Sequence, residues 1–367
     1  MARDLKAHRL VLKIGTSTLT RNGKPDIAYI QCLADTLSRL KKEGKQFVIV
    51  TSGAIGAGCA ELGLATRVRD IHMRQATAAI GQGIIMKRYY DAFAKHGVKV
   101  AQILLTYDDF SQRKRYVHLK SSLSTLLKLG VVPIINENDP VSIDEIGPSF
   151  GDNDRLSALV AAKCDADLLV IMSDIDGLFT NDPKQHKDAK LLPEVRELTK
   201  DIEASAGAAS SSFGLGGMQS KIKAVKLCMS SGVPVIICNG RDPAIVEKIC
   251  AGAEVGTLFL PKGSLDEKKR WILAAKPKGS VIIDQGAKKA LLSGKNLLPA
   301  GIVEVRQHFE KGDVVSLSCG EAFAKAIVDF SSEQLQHIKG KHSAEIEKAL
   351  GKQRYENVVR RENLVFL

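Results

Sequence analysis

Two apolar runs near the N-terminus, Leu10-Val-Leu-Lys-Ile14 and Phe47-Val-Ile-Val-Thr51, lie on either side of a helical pattern. Between them, four apolar residues recur at the spacing of one helix face: Ile30, Leu33, Leu37 and Leu40. Gly44 then marks the end of that helix. Short runs that are apolar throughout are typical of strands buried on both faces of a parallel sheet. Residues 10–51 therefore predict a strand, a helix and a second, parallel strand.

The same alternation continues to about residue 260. Four further apolar runs are predicted to be strands: Val98–Leu105, Val131–Ile135, Leu168–Met172 and Val233–Cys238. The pattern predicts an α/β fold with a mostly parallel sheet sandwiched by helices. In such sheets ligands bind at the carboxyl ends of the strands, so the residues that follow each strand are the first candidates for function.

A different pattern begins at Pro277. Three short strand-like pieces follow, separated by glycine-rich turns: Ser280–Asp284, Gly301–Val305 and Asp313–Leu317. One helical segment, Gly286–Leu292, lies between the first two. These pieces predict a small, mainly β domain. We therefore expect a large domain at 1–260, a linker at 261–276 and a small domain at 277–361.

The composition is that of an ordinary globular protein, with 44% hydrophobic and 26% charged residues among 367. The charged N-terminus lacks the apolar core of a signal peptide, and no apolar run approaches the roughly 18 residues of a membrane span. Seven cysteines, without a CxxC pair, indicate neither a disulfide framework nor a zinc site. We expect a cytoplasmic protein that does not contact membranes.

The net charge of +12 is concentrated towards the C-terminus, where residues 268–367 carry 18 Lys and Arg against 11 Asp and Glu. Such a basic segment suits either an RNA partner or a solvated, soluble surface. We do not expect RNA to be a partner.

Polar residues follow one predicted strand after another. The groups are Lys13 with Gly15-Thr-Ser17, Ser52-Gly-Ala-Ile-Gly-Ala-Gly58, Asn136-Glu-Asn-Asp139, Gly151-Asp-Asn-Asp154 and Ser173-Asp174. Each of these groups, taken alone, is also common in turns and at helix N-caps. Together they indicate a site for phosphate and for a second ligand that carries amine and carboxylate groups. No histidine spacing indicates a metal site.

A glycine-rich turn, Phe213-Gly-Leu-Gly-Gly-Met-Gln-Ser-Lys221, precedes a predicted helix. Glycine brings backbone N–H groups close to a ligand, and the positive end of a helix favours phosphate. The run does not fit the P-loop pattern. A turn of this kind is also common as simple chain reversal.

The motifs taken together resemble those of the amino acid kinase family. The resemblance is carried by Lys13-Ile-Gly-Thr-Ser17, Thr51–Gly58, Ile135–Asp139, Gly151–Asp154 and Gly216-Gly-Met-x-x-Lys221. The segment after Pro277 is similar to the PUA domain of the longer bacterial members. The resemblance implies the amino acid kinase fold and ATP-dependent phosphorylation of the L-glutamate side-chain carboxylate, the first step of proline biosynthesis.

The resemblance also implies roles for individual residues. Those matching the glutamate-binding positions are Ser52, Asp139 and Asn153. Those matching the ATP-binding positions are Ser173, Asp174, Leu215, Gly216, Gly217, Met218, Gln219, Ser220 and Lys221. Two positions depart from the family, which commonly has threonine where this chain has Leu215 and Ser173.

The chemistry assigns the remaining roles. A carboxylate nucleophile needs no general base, but two unit charges about 4 Å apart repel by roughly 4 kcal/mol at an effective dielectric of 20. We assign Lys13 and Lys221 to the phosphoryl oxygens as catalytic and ATP-binding cations, and Asp154 to orienting them or a metal-bound water. Asp139 would bind the α-ammonium of glutamate, and Asn153 with the Ser52 turn its carboxylates. We expect Mg²⁺ on the ATP oxygens, without a dedicated protein metal site.

Three alternatives remain at this point. Another amino acid kinase would share the phosphate machinery and accept N-acetylglutamate or aspartate. A protein that binds or modifies RNA would use the basic tail, and a regulatory member would lack activity. If the chain is an active member that phosphorylates L-glutamate, the resemblance implies proline as feedback inhibitor, glutamyl phosphate reductase as pathway partner, and a homo-oligomer, dimer or tetramer.

Overall fold

The computed structural model describes residues 3, 5–21, 24–64, 68–142, 153–183, 185–186, 188–199, 202, 217–261, 263, 265–341 and 357–367. It divides into two compact units. The first comprises residues 1–109 and 117–264, and the second comprises 110–116 and 265–367. The boundaries 1–260, 261–276 and 277–361 stay a prediction.

The first unit contains an eight-stranded sheet and a two-stranded ribbon. Its strands are β1 (Arg9–Ile14), β2 (Thr20–Arg21), β3 (Lys24–Pro25), β4 (Gln46–Val50), β5 (Val100–Leu105), β6 (Val132–Glu137), β7 (Leu168–Ser173), β8 (Glu194–Val195), β9 (Val235–Asn239) and β10 (Thr257–Phe259). The helices that begin in this part of the chain are α1 (Thr16–Leu19), α2 (Ile27–Lys42), α3 (Ala54–Glu61), α4 (Ile71–Ala94), α5 (Tyr107–Ser111), α6 (Arg113–Lys128), α7 (Asn153–Lys163), α8 (Met218–Ser230) and α9 (Ile245–Cys250). Residues 110–116, which include the end of α5 and the start of α6, belong to the second unit.

The large sheet has the order β5-β6-β4-β1-β7-β9-β10-β8, and β9–β10 is its one antiparallel pair among the described strands. The predicted mostly parallel sheet is therefore confirmed. Its register aligns the carboxyl ends of the central strands, since Lys13 lies opposite Val50 and Ile171, and Val50 lies opposite Ile135. The residues that follow β1, β4, β6 and β7 consequently meet at one edge.

The second unit contains a five-stranded sheet of order β12-β11-β13-β14-β15, antiparallel except for β11–β13. Its strands are β11 (Gly279–Ile283), β12 (Ile302–Arg306), β13 (Val314–Cys319), β14 (Glu321–Ile327) and β15 (Leu364–Phe366). Its further helices are α10 (Glu267–Ala274), α11 (Gln285–Leu292) and α12 (Ser332–Ile338). The sheet encloses its own apolar core. Within the described residues no helix has the length and apolar character that a bilayer span requires.

Helices α3 and α4 approach each other closely because two glycines remove side chains from their contact. A Cβ on Gly58 would lie 1.8 Å from the carbonyl oxygen of Thr77, and one on Gly81 would lie 1.8 Å from that of Ala54. Such distances exclude any side chain unless the backbone shifts. Helix α3 begins directly after Ser52 and Gly53. Its close contact with α4 therefore places α4 next to the edge of the sheet where the predicted site residues meet.

We expect Gly81→Ala to lower the free energy of unfolding by about 1–3 kcal/mol or more, because the new methyl group would overlap backbone atoms of α3. Gly83 lies on the same helix, is exposed and has no atom within 4 Å of a Cβ. Gly83→Ala should therefore stabilise the helix by about 0.5–1 kcal/mol. Denaturant unfolding of both variants measures the difference, and equal stabilities would contradict the close α3–α4 contact.

Candidate active site

Three charged side chains from different elements meet at the edge of the large sheet. Lys13 lies on β1, Asp154 in the first turn of α7 and Lys221 in the first turn of α8. The Lys13 Nζ lies 2.5 Å from Asp154 Oδ1, and the Lys221 Nζ lies 3.1 Å from Asp154 Oδ2. We call these residues the lysine–aspartate cluster. The structure thus brings together all three residues that were predicted to be catalytic.

The lysine–aspartate cluster is buried, with Asp154 fully inaccessible and Lys13 and Lys221 only 6% and 3% exposed. Burial raises the pKa of the Asp154 carboxyl, but the two ammonium groups lower it, and the net pKa lies below the ordinary value. The carboxylate is therefore ionised at neutral pH. Two ammonium groups share it, so the three side chains together carry a charge of +1.

Ser220 links the start of α8 to the same carboxylate. Its hydroxyl lies 3.0 Å from Asp154 Oδ2 and 2.9 Å from the carbonyl oxygen of Gly217. Gly217 occupies the N-cap position and, in the described part of the chain, no side chain caps the helix there. Met218 and Gln219 complete the first turn. The predicted Leu215 and Gly216 lie outside the described residues.

A second group of polar side chains surrounds Asn153. The Asn153 Nδ2 donates to the carbonyl oxygen of Thr51 at 2.6 Å, to Asn136 Oδ1 at 2.9 Å and to Ser52 Oγ at 3.2 Å. We call Thr51, Ser52, Asn136 and Asn153 the amide cluster. Because all three contacts involve Nδ2, the Oδ1 atom points elsewhere, and it is buried without a hydrogen-bond partner within the described residues. An acceptor of this kind suits a ligand that donates hydrogen bonds.

Asp139 begins a short 3₁₀ turn, Asp139–Val141, that follows β6, and its side chain is buried. A hydrogen bond joins the residues on either side of this turn, since the Ser142 hydroxyl donates to Glu137 Oε1 at 3.0 Å. Asp139 thus lies two residues after the end of β6, the strand that contains Asn136. The sequence had not singled out Glu137 or Asn136 for a role, although both stand in the motif that suggested the site.

Ser173 ends β7, and Asp174 follows it. The Ser173 hydroxyl lies 3.2 Å from Asp174 Oδ1, and the carbonyl oxygen of Ser173 accepts from the N–H of Gly240 at 2.8 Å. Ser173 is buried and Asp174 is exposed. The two residues thus stand one strand away from Lys13, at the same edge of the sheet, which is the position expected for a nucleotide ligand in an α/β fold.

Comparison with known proteins identifies two families along the chain. The model of the amino acid kinase family matches residues 8–239, and that of the PUA domain matches residues 279–350. The match to the amino acid kinase family includes every residue of both clusters and Asp139.

Several similar proteins bear one name. Glutamate 5-kinase of Methanosarcina mazei is 49% identical over 370 residues, covering 98% of this chain and 96% of that protein. Glutamate 5-kinase of Caldanaerobacter subterraneus subsp. tengcongensis is 45% identical over 365 residues, covering 98% of each chain. A solved structure of isopentenyl phosphate kinase matches 69% of this chain and all of its own, with 19% identity and a TM-score of 0.48.

The confirmed fold, the matching family models and the relatives that match over nearly the whole length agree with the resemblance of the motifs. The chain belongs to the glutamate 5-kinases of the amino acid kinase family, in the form that carries a C-terminal PUA domain.

Proposed function

We propose that this protein transfers the γ-phosphoryl group of ATP to the side-chain carboxylate of L-glutamate, giving L-glutamyl 5-phosphate, the first step of proline biosynthesis. The observation that carries the proposal is the lysine–aspartate cluster, in which two buried ammonium groups converge on one carboxylate beside the amide cluster. L-Glutamate is proposed as the acceptor because the similar proteins are named glutamate 5-kinase.

The acceptor is ready to react without a general base. The side-chain carboxylate of glutamate has an ordinary pKa of about 4.3, so it is ionised at neutral pH. The barrier arises from bringing this anion against the negatively charged γ-phosphate. Fixed cations at the transferring group offset that repulsion and stabilise the charge that spreads over its oxygens. Lys13 and Lys221 are assigned to this task.

Asp154 would hold both lysines in position before substrate arrives. A long lysine side chain loses rotamer freedom when it is fixed, and a buried carboxylate that two lysines share fixes both at once. Since the carboxylate stays ionised, it does not serve as an acid in the reaction. Its assigned role is to orient the lysines, with the hydroxyl of Ser220 adding a third contact.

Glutamate would be held by the amide cluster and Asp139. The carboxylate of Asp139 suits the α-ammonium group of the substrate. The orientation of Asn153 refines the sequence-based assignment, because its Oδ1 accepts hydrogen bonds and therefore suits the ammonium as well. Ser52, whose hydroxyl can donate, remains the assigned partner of a substrate carboxylate.

ATP would bind across the start of α8 and the end of β7. The assigned contacts are the backbone around Gly216 and Gly217, the side chains of Ser220 and Lys221, and Ser173 with Asp174. The described residues contain no group of three or more side chains able to hold a metal ion. We propose that Mg²⁺ is held chiefly by the phosphate oxygens of ATP. Bound there, Mg²⁺ would offset phosphate charge and orient the nucleotide.

The pathway suggests further partners. We propose proline as feedback inhibitor, glutamyl phosphate reductase as the enzyme that consumes the product, a homo-oligomeric assembly, and the cytoplasm as the compartment.

The acceptor can be tested with a coupled assay that follows ADP formation with L-glutamate, L-aspartate and N-acetylglutamate supplied separately. We expect activity with L-glutamate and little with the other two, because aspartate is one methylene shorter and acetylation removes the ammonium that Asp139 would bind. Preference for N-acetylglutamate or L-aspartate would overturn the assignment of the acceptor and leave the phosphate machinery in place.

Replacing either lysine tests the catalytic assignment. Lys13→Ala and Lys221→Ala should each lower kcat by about 10²-fold or more, since each removes a cation that stabilises the transferring group. The KM for L-glutamate should change far less, because the acceptor contacts other residues. Steady-state kinetics with varied L-glutamate measures both constants.

Lys223 provides a matched control, because it lies two residues after Lys221 on the same helix and its side chain is exposed. Lys223→Ala should keep the kcat of the unsubstituted protein. Circular dichroism shows whether each variant is folded. If folded Lys13→Ala and Lys221→Ala variants keep a near-normal kcat, the lysines do not act on the phosphoryl group.

A further inference from the structure

Helix α4 presents two polar side chains on its buried face towards the amide cluster and the turn that carries Asp139. Gln82 and Tyr89 are seven residues apart, which places them on the same side of the helix two turns from each other. Both are buried, at 6% and 0% exposure. Ile85 lies between them and is equally buried. A polar side chain on such a face normally has a specific partner, and each of these two has one.

Tyr89 contacts the residue that precedes Ser52. Its hydroxyl lies 3.1 Å from Thr51 Oγ1, and both groups are buried. Burial raises the pKa of the Tyr89 phenol, so the hydroxyl stays protonated. The backbone of Thr51 is held as well, because its N–H donates to the carbonyl oxygen of Ile135 at 2.9 Å and its own carbonyl oxygen accepts from Asn153. The contact with Tyr89 is therefore the side-chain anchor of a residue that belongs to the amide cluster.

Gln82 contacts the neighbouring strand end. Its Nε2 donates to the carbonyl oxygen of Glu137 at 3.1 Å. Glu137 is the last residue of β6 and stands two residues before Asp139. A cavity of about 10 Å³, whose wall includes Thr51, Gln82 and Asn136, lies between the helix and the strands. Helix α4 thus reaches the ends of both strands that carry the assigned acceptor residues.

We propose that Gln82 and Tyr89 are positioning residues for the acceptor, which hold the end of β6 through the carbonyl of Glu137 and the end of β4 through the hydroxyl of Thr51. This inference rests on the proposed function, because it takes Ser52, Asn153 and Asp139 as the acceptor site. Neither side chain touches the lysine–aspartate cluster through a described hydrogen bond. Their effect should therefore fall on the binding of L-glutamate and spare phosphoryl transfer.

The location of α4 supports this role physically. The helix is fixed against α3 by the contacts at Gly58 and Gly81, where no side chain fits. A helix packed this closely against its neighbour offers a firm support for the hydrogen bonds that its side chains make. Binding sites depend on such support, because a small displacement of a contact group weakens its bond to the ligand.

Tyr89→Phe tests the proposal with little change in volume. We expect the KM for L-glutamate to rise about three- to tenfold, which corresponds to the loss of one hydrogen bond between neutral groups. The kcat and the KM for ATP should stay within about twofold, since interactions made equally in the ground and transition states affect KM alone.

Tyr90→Phe is the matched control, because Tyr90 is the next residue of α4 and is 61% exposed. It should leave all constants unchanged. Thr51→Val removes the other partner of the same hydrogen bond, so the double variant Tyr89→Phe/Thr51→Val should have a KM no higher than that of Thr51→Val. Gln82→Met should raise the KM for L-glutamate in the same way.

The outcomes separate this proposal from the proposed function. No phosphorylation of L-glutamate by the unsubstituted protein would overturn both. Activity in the unsubstituted protein, with an unchanged KM in folded Tyr89→Phe or with additive effects of Tyr89→Phe and Thr51→Val, would overturn the positioning role of Tyr89 alone. An unchanged KM in folded Gln82→Met would overturn the assignment of Gln82.

Discussion

The carboxylate of Asp154 lies between the ammonium groups of Lys13 and Lys221, and the arrangement of the site depends on this shared contact. Burial of a charge is costly unless partners compensate it. Here the two lysines lower the pKa of Asp154, so its ionised form stabilises the fold above the pKa of the unfolded chain. That contribution is lost as the pH falls through the lower, folded pKa. The same contact holds two cations where a phosphoryl group would pass.

Helix α7 joins this charge arrangement to the acceptor site through consecutive residues. Asn153 belongs to the amide cluster, and Asp154 contacts the two lysines. The first turn of one helix therefore sets the distance between the group that would hold glutamate and the group that would hold the phosphoryl. The parallel register brings the ends of β1 and β4 to the same turn. A parallel sheet thus assembles the site from segments far apart in the sequence.

The sequence predicted the sheet well because its central strands are continuously apolar and end in polar residues. It predicted joint roles for Lys13, Asp154 and Lys221 because phosphoryl transfer to an anionic acceptor requires cations and a group that orients them. It did not predict the role of Thr51 or Asn136, since their contacts depend on strand register, nor Gln82 and Tyr89, whose partners are distant along the chain. Strand β14 was not predicted either, because Glu321-Ala-Phe-Ala-Lys-Ala-Ile327 lacks a continuous apolar run.

Replacing Asp154 by Asn tests most directly whether its carboxylate holds the lysines, because the side chain keeps its shape and loses its charge. We expect a folded protein whose kcat is lowered by about 10²-fold or more, with the KM for L-glutamate changed by no more than about threefold. Asp91→Asn, at the exposed pair with Lys87, serves as control. A folded Asp154→Asn variant with near-normal kcat would contradict the account, because the lysines would then be positioned without the carboxylate.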